Sequence, residues 1–319
     1  MPPIESVGSP ALWIGFFAFV LVMLALDLGV FHKKAHVVTF KEAAIWSAVW
    51  VSLSLVFNGV VFATAGSQAG IEFTTGYLIE KSLSVDNIFV FVVIFGSLGI
   101  PPQYQHRVLF WGILTALILR AIMIFAGVAA INQFHWLIYV FGGFLVLTGI
   151  KLYLQRDKPE SPEESKILQW ARRVIPTTSR FDGQKFFTIE NGKRMATPLF
   201  LALILVEVSD VIFAVDSIPA IFAVTNDPFI IFTSNIFAIL GLRSLFFMLA
   251  GMVDKFRYLK VGLAVVLVFV GVKMLILDLY KIPALISLAV ILGILTASIV
   301  LSLRASRRDE AEAASKKVG

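Results

Sequence analysis

The 319-residue chain contains no cysteine. That excludes disulfides, thiolate metal centres and cysteine nucleophiles carried by the chain's own side chains, while leaving the compartment open. Histidine is scarce too: the four residues fall in loops or at the ends of apolar segments. Charged residues make up only 15%, against 58% hydrophobic residues and a mean hydropathy of +0.88. Such a balance excludes an ordinary soluble domain and places the chain among polytopic membrane proteins. No basic domain exists. The net charge of +6 sits mostly in loops and in the C-terminal tail, so the expected partner is the lipid bilayer and not nucleic acid. No Walker A pattern is present, which argues against ATP drive. The first ten residues lack Lys and Arg. Without the basic start of a signal peptide, the first apolar segment is expected to be retained.

Nine segments are apolar and long enough to span about 30 Å of hydrocarbon. They run near residues 11–31, 42–65, 71–97, 108–128, 134–154, 196–225, 229–252, 258–279 and 284–303. Lys and Arg alternate between rich and poor loops. The rich ones hold Lys33, Lys34 and Lys41, then Arg107, then residues 155–195, then Lys255, Arg257 and Lys260, and finally the tail. By the positive-inside rule the N-terminus lies outside and the C-terminus in the cytoplasm. Within the long loop, Ser161-Pro162-Glu163-Glu164 reads as the start of a helix suited to the inner membrane surface. Phe186 to Ile189 and the residues after Asn191-Gly192 read as a hairpin with a type I′ turn.

Two stretches resemble each other. Glu80 to Ile88 reads EKSLSVDNI and Asp210 to Ile218 reads DVIFAVDSI, each an acid, five residues, then Val-Asp-(Asn or Ser)-Ile. Leu119-Arg120 and Leu242-Arg243 follow in the next segments, then Gly149-Ile150-Lys151-Leu152 and Gly271-Val272-Lys273-Met274. Each unit holds three spans, an odd number, so the units are inverted with respect to the membrane. The expected fold is all-α and polytopic, about nine transmembrane helices with an inverted 3+3 repeat. It comprises two peripheral N-terminal helices (1–70), a first repeat (71–154), a cytoplasmic loop (155–195), a second repeat (196–280), and a last helix with a polar tail (281–319).

Intramembrane acids are costly and mark function by default. Glu80, Asp86, Asp210 and Asp216, with Asn87 and Ser217 beside them, form an oxygen-only ligand set that suits a hard divalent cation. On a straight helix Glu80 and Asp86 lie about 9 Å apart along the axis, so they serve two depths of a path unless the helix opens. Pro219 predicts such an opening after Asp216, through the unpaired carbonyl of Val215. Ser84, Ser209 and Glu207 are supporting candidates. Arg120 and Arg243 read first as charge-balancing partners of the acids, with anion ligation as the alternative. Lys151 and Lys273, near segment ends, are expected to snorkel. Asn58 suggests an interhelical hydrogen bond.

EKSLSVDNIFVF at 80–91, EVSDVIFAVDSIPAIFAVT at 207–225, TSNIFAILGLRSLFFMLAG and GVKMLILD together resemble the TerC family of bacterial membrane proteins, and within it the Alx branch. The resemblance covers nearly the whole chain. It implies a nine-helix inner-membrane protein related to the lysine-exporter superfamily. It also implies a role in manganese export, with an association with tellurium resistance. Its acidic motif residues fall on Glu80, Asp86, Asp210 and Asp216. The expected activity is secondary, proton-coupled export of Mn2+ as a transported ion, with no permanently bound cofactor and no enzymatic reaction. The alternatives are a non-transporting assembly or metallation factor acting on other membrane proteins, and a tellurium-resistance component.

Overall fold

Proline begins four of the nine described helices. α1 (Pro10–Leu26), α3 (Pro102–Gln133), α5 (Pro198–Phe222) and α6 (Pro228–Leu240) all start on one, where the missing N–H has no helical partner to lose. A computed structural model describes residues 6–26, 38–154, 173, 175–190, 192–250 and 258–318. The side chains of Asp216 and of 309–318, and the surface helix expected from Ser161, lie outside the described residues. The remaining elements are α2 (Phe40–Ser97), α4 (Leu137–Leu154), α7 (Leu242–Leu249), α8 (Leu259–Leu275), α9 (Ala284–Val318) and the strands β1 (Phe187–Glu190) and β2 (Lys193–Ala196).

Side chains supply the caps. The Thr39 hydroxyl accepts from the Glu42 N–H at the start of α2. Asp227 Oδ1 accepts from the N–H groups of Phe229 and Ile230 at the start of α6. The strands pair antiparallel with Glu190 opposite Lys193, which leaves a two-residue connection with Gly192 at φ 72°. The expected hairpin is therefore present. Its type I′ turn rests half on Asn191, which lies outside the described residues.

α2 is not one rod. At 1.5 Å per residue, 58 residues would run about 87 Å, far more than a bilayer. Gly66 sits at φ 89°, ψ 173°, outside the helical region, where a side chain is strained. Asn58 Nδ2 donates to Thr74 Oγ1 at 2.7 Å, and the rings of Phe57 and Phe73 lie 5.5 Å apart. Both pairs are nearly symmetric about Gly66, so the two arms fold back on each other as antiparallel helices. Asn58 thus makes the interhelical bond expected of it. Among the described residues, six helices are long and apolar enough to cross a membrane, with α6–α7 counted as one and α2 as one. The fold at Gly66 raises that to seven full-length spans. α1 and α8, 17 residues each, fall short of the usual twenty or so.

Contacts sort the loops onto two sides. The N-terminal segment docks on the loop before α6, where Val7 N and Ser6 Oγ both donate to Asp227. On the other side, Arg107 lies over the Phe186 ring at 5.3 Å and Tyr104 meets Phe181 near the hairpin. Lys260 lies over Phe89 on that side as well. These contacts group the N-terminal segment with the loop before α6, and Arg107 with the hairpin. Lys151 is exposed, as expected, but Lys273 is buried at 5% exposure. It sits within the field of Glu72, so α8 packs its basic residue inward where snorkelling was expected.

The second arm of α2 packs on α6, α3 packs on α5, and α4 packs on α8. α6 is the most enclosed: Ile230, Ile231, Thr233, Ser234, Asn235, Ala238 and Ile239 have no exposed surface. The α4–α8 seam depends on glycine. A Cβ on Gly271 would come within 2.7 Å of the Gly142 carbonyl oxygen and 2.9 Å of the Val146 nitrogen, both backbone atoms. Gly271→Ala should therefore force the helices apart and cost about 1–3 kcal/mol. Thermal unfolding in detergent should show it as a lowered midpoint. Gly293→Ala, at a position with nothing within 4 Å, should leave the midpoint unchanged or slightly raised.

Candidate functional site

Glu80 lies midway along the second arm of α2 and Asp210 midway along α5, and the packing of those helices turns both inward. Glu80 is 1% exposed and Asp210 3%. Between them lies Arg120 of α3, the largest fully buried side chain among the described residues. Its Nη1 donates to Glu80 Oε1. Its Nη2 and Nε fork onto Asp210 Oδ1 and Oδ2 at 3.0 and 3.3 Å. This two-pronged contact on a carboxylate suits the planar guanidinium. Nη1 also lies 3.4 Å from Ser217 Oγ and 3.4 Å from Asn235 Oδ1.

The other carboxylate lone pairs are served as well. Asn235 Nδ2 of α6 donates to Glu80 Oε2 at 3.0 Å, and Asn87 Nδ2 approaches Asp210 Oδ1 at 3.5 Å. Six side chains from four helices form one closed polar network at the centre of an apolar bundle. Lys81, next to Glu80, reaches the carbonyl of Ala238 at 3.2 Å, in the last turn of α6. α6 gives way to α7 just beyond, at Gly241, where a Cβ would lie 2.7 Å from Lys81 Nζ. Arg243 follows on α7 and is buried at 8% exposure.

A cavity of about 70 Å3 adjoins the network, room for a few water molecules or a partly hydrated ion. Glu80, Asp86, Asn87, Arg120, Thr148 and Ser217 supply its polar lining. Asp86 stands about 9 Å along the helix from Glu80, toward the hairpin side. α2 is regular across both residues, so the two acids lie at two depths of the bundle. Asp216 lies on α5, with its side chain outside the described residues. Among the described residues no three His, Asp or Glu side chains converge as a metal cage.

The supporting candidates divide. Ser84 and Ser209 donate back to the Glu80 and Leu205 carbonyls at 2.7 and 2.8 Å, within their own helices. Glu207 turns toward Thr115 of α3, and both of its oxygens are buried without a hydrogen bond of good geometry. α5 runs unbroken through Pro219 to Phe222, so the expected opening after Asp216 is absent. Proline three residues from a helix end forfeits a single backbone bond. The Pro219 carbonyl still accepts from Ala223 N at 3.2 Å. Sequence reasoning passed over Asn235. An amide in the middle of an apolar span, bracketed by Ser234 and Ile236, was the available signal.

Removing one partner of a buried charge pair costs more than the pair contributes, because the other charge stays behind in low dielectric. The same asymmetry holds for the amide. Asn235→Leu should cost about 1–3 kcal/mol, since Glu80 Oε2 loses its donor. A melting curve of the purified protein would show it, with Ser234→Ala as the milder comparison.

Residues 65–310 match the integral membrane protein TerC family. The chain is 69% identical over 307 residues to an uncharacterized membrane protein of Myxococcus xanthus, covering 96% of each. It is 50% identical over 308 residues to the Escherichia coli (strain K12) protein named "Putative membrane-bound redox modulator Alx", covering 93% of this chain and 96% of that one. It is equally similar over 307 residues to the protein of the same name from Salmonella typhi. No solved structure matches. With the family's span covering all four motif acids and both arginines, the chain belongs to the TerC family of integral membrane proteins.

Proposed function

We propose that the protein is a secondary transporter that exports Mn2+ from the bacterial cytoplasm, through nine spans arranged as an inverted 3+3 repeat. The observation that carries the reading is the meeting of Glu80 and Asp210. One acid from the first helix of each half faces the other at mid-bundle, where repeat-built transporters place their sites. Oxygen ligands suit a hard cation; manganese in particular rests on the family resemblance. Protons are the fitting counter-ion, since carboxylates that release a dication inside a bundle gain by taking protons.

Packing symmetry supports the repeat. Gly271 meets the Gly142 carbonyl and Val146, while Gly149 meets the Ala264 carbonyl and Val268. Gly142, Val146 and Gly149 have Ala264, Val268 and Gly271 as counterparts, each 122 residues later. The two sets of contacts are therefore the same contact seen from either half, as a two-fold axis between α4 and α8 demands. Likewise the first helix of each half packs on the second helix of the other.

The cavity runs from Glu80 toward Asp86 and Leu152, the side of the hairpin and basic loops. At the opposite end Phe222 stacks on Phe141 at 6.2 Å and presses against Gly127. The arrangement suits a carrier open to the cytoplasm and closed outside. The Alx names speak of redox modulation. A thiol switch has no residue to act through in a cysteine-free chain, whereas control of a redox-active metal is a physical route to the same effect. An assembly or metallation factor remains a second reading. It draws on the hairpin, where Ile189 is 78% exposed opposite Arg194.

Asp86→Asn or Asp216→Asn should abolish the lowering of cellular manganese while membrane insertion stays intact. Variants that still lower it like the parent would place the ion path elsewhere. The cysteine-free background also permits single-cysteine labelling. Leu152→Cys should react with an impermeant thiol reagent in inside-out vesicles and not in right-side-out ones. The reverse pattern would overturn the orientation.

A further inference from the structure

Glu80 and Asp210 turn their facing oxygens to one guanidinium. Arg120 Nη1 takes Glu80 Oε1, and Nη2 and Nε take both oxygens of Asp210. A guanidinium only donates hydrogen bonds. A hard divalent cation needs those same lone pairs, at about 2.0–2.6 Å. The two cannot share the seat. Charge leads to the same conclusion. With Arg120 in place the two carboxylates and the guanidinium sum to −1, and a dication added there would leave +1 in a buried site. With Arg120 withdrawn, the ion and the two carboxylates sum to zero.

The geometry points to Arg120 as a tethered counter-cation: it fills the seat between Glu80 and Asp210 when no ion is bound, and a divalent ion binds at this pair only by displacing it. The inference rests on the transport reading above and deepens it. Arg120 itself lines the 70 Å3 cavity together with Ser217 and Asn87, and that is the space toward which the displaced side chain would swing. The device also answers a problem of the empty carrier. Returning across the membrane with both acids bare would carry two uncompensated charges through low dielectric, which is expensive. With Arg120 seated the empty site carries only −1, and with Arg120 displaced by the ion the loaded pair is neutral. Asn235 takes part by holding Glu80 Oε2 from the far side, so the carboxylate keeps its orientation when the guanidinium leaves.

A plain structural clamp makes different demands. It would hold α2, α3 and α5 together while the ion bound elsewhere. Purified, detergent-solubilised wild type, Arg120→Gln and Arg120→Lys should be compared by thermal unfolding with and without MnCl2. Mn2+ binding should be titrated in parallel by loss of the free-ion EPR signal. Arg120→Gln should melt below wild type without metal, gain more from Mn2+ than wild type does, and bind it at least tenfold more tightly. Arg120→Lys, a cation without the fork, should fall between, and it carries the test if the Gln variant does not fold. Adding Glu80→Gln to either variant should erase the gain. Equal Mn2+ affinity in wild type and both Arg120 variants would overturn the proposal and leave transport standing. A gain that survived Glu80→Gln would do the same. Absence of Mn2+ binding to every form would overturn both.

Discussion

A full positive charge held in the middle of an apolar bundle is the constraint to which the rest of this structure answers. Arg120 is 1% exposed, and a buried ion is tolerable only with partners in excellent geometry. Those partners come from three helices, Glu80 on α2, Asp210 and Ser217 on α5, and Asn235 on α6. The order in which the helices pack, α2 on α6 and α5 on α3, is the order that completes this network. Glycines at the seams let the backbones close on it. Gly76 meets Ser234 on one side and Gly112 meets Val206 on the other.

The network explains why acids in membrane helices do not by themselves make a metal cage. In this conformation every lone pair of Glu80 and Asp210 that faces the centre already has a donor. The polar interior therefore has two depths and not one cluster. One is the closed pair at Glu80 and Asp210. The other lies along the cavity at Asp86, toward the side of the basic loops. An ion entering from that side would meet Asp86 first, and the guanidinium afterwards.

Much of this was legible in the residues. The charge-free interruption at 66–70 marked a turn that Gly66 makes with positive φ, and Asn191-Gly192 marked the hairpin. The duplicated acid motif named the two helices that meet at the centre, and the arginines read first as counter-charges, as Arg120 is. Pro219 misled, because one lost backbone bond near a helix end does not open a helix whose flanking turns are packed. Lys273 misled because nearness to a segment end says nothing about which face a neighbouring helix covers. Asn235 stayed hidden because its partner is 155 residues away, and a lone amide shows no spacing that a sequence pattern can register. Depth and facing are tertiary properties, and periodicity alone does not carry them.

Flux from the purified protein reaches the central claim most directly. Reconstituted into liposomes containing a manganese-sensitive dye, the protein should give saturable Mn2+ uptake that Asp86→Asn removes. Signal no greater than that of protein-free liposomes, from correctly folded protein, would contradict the account.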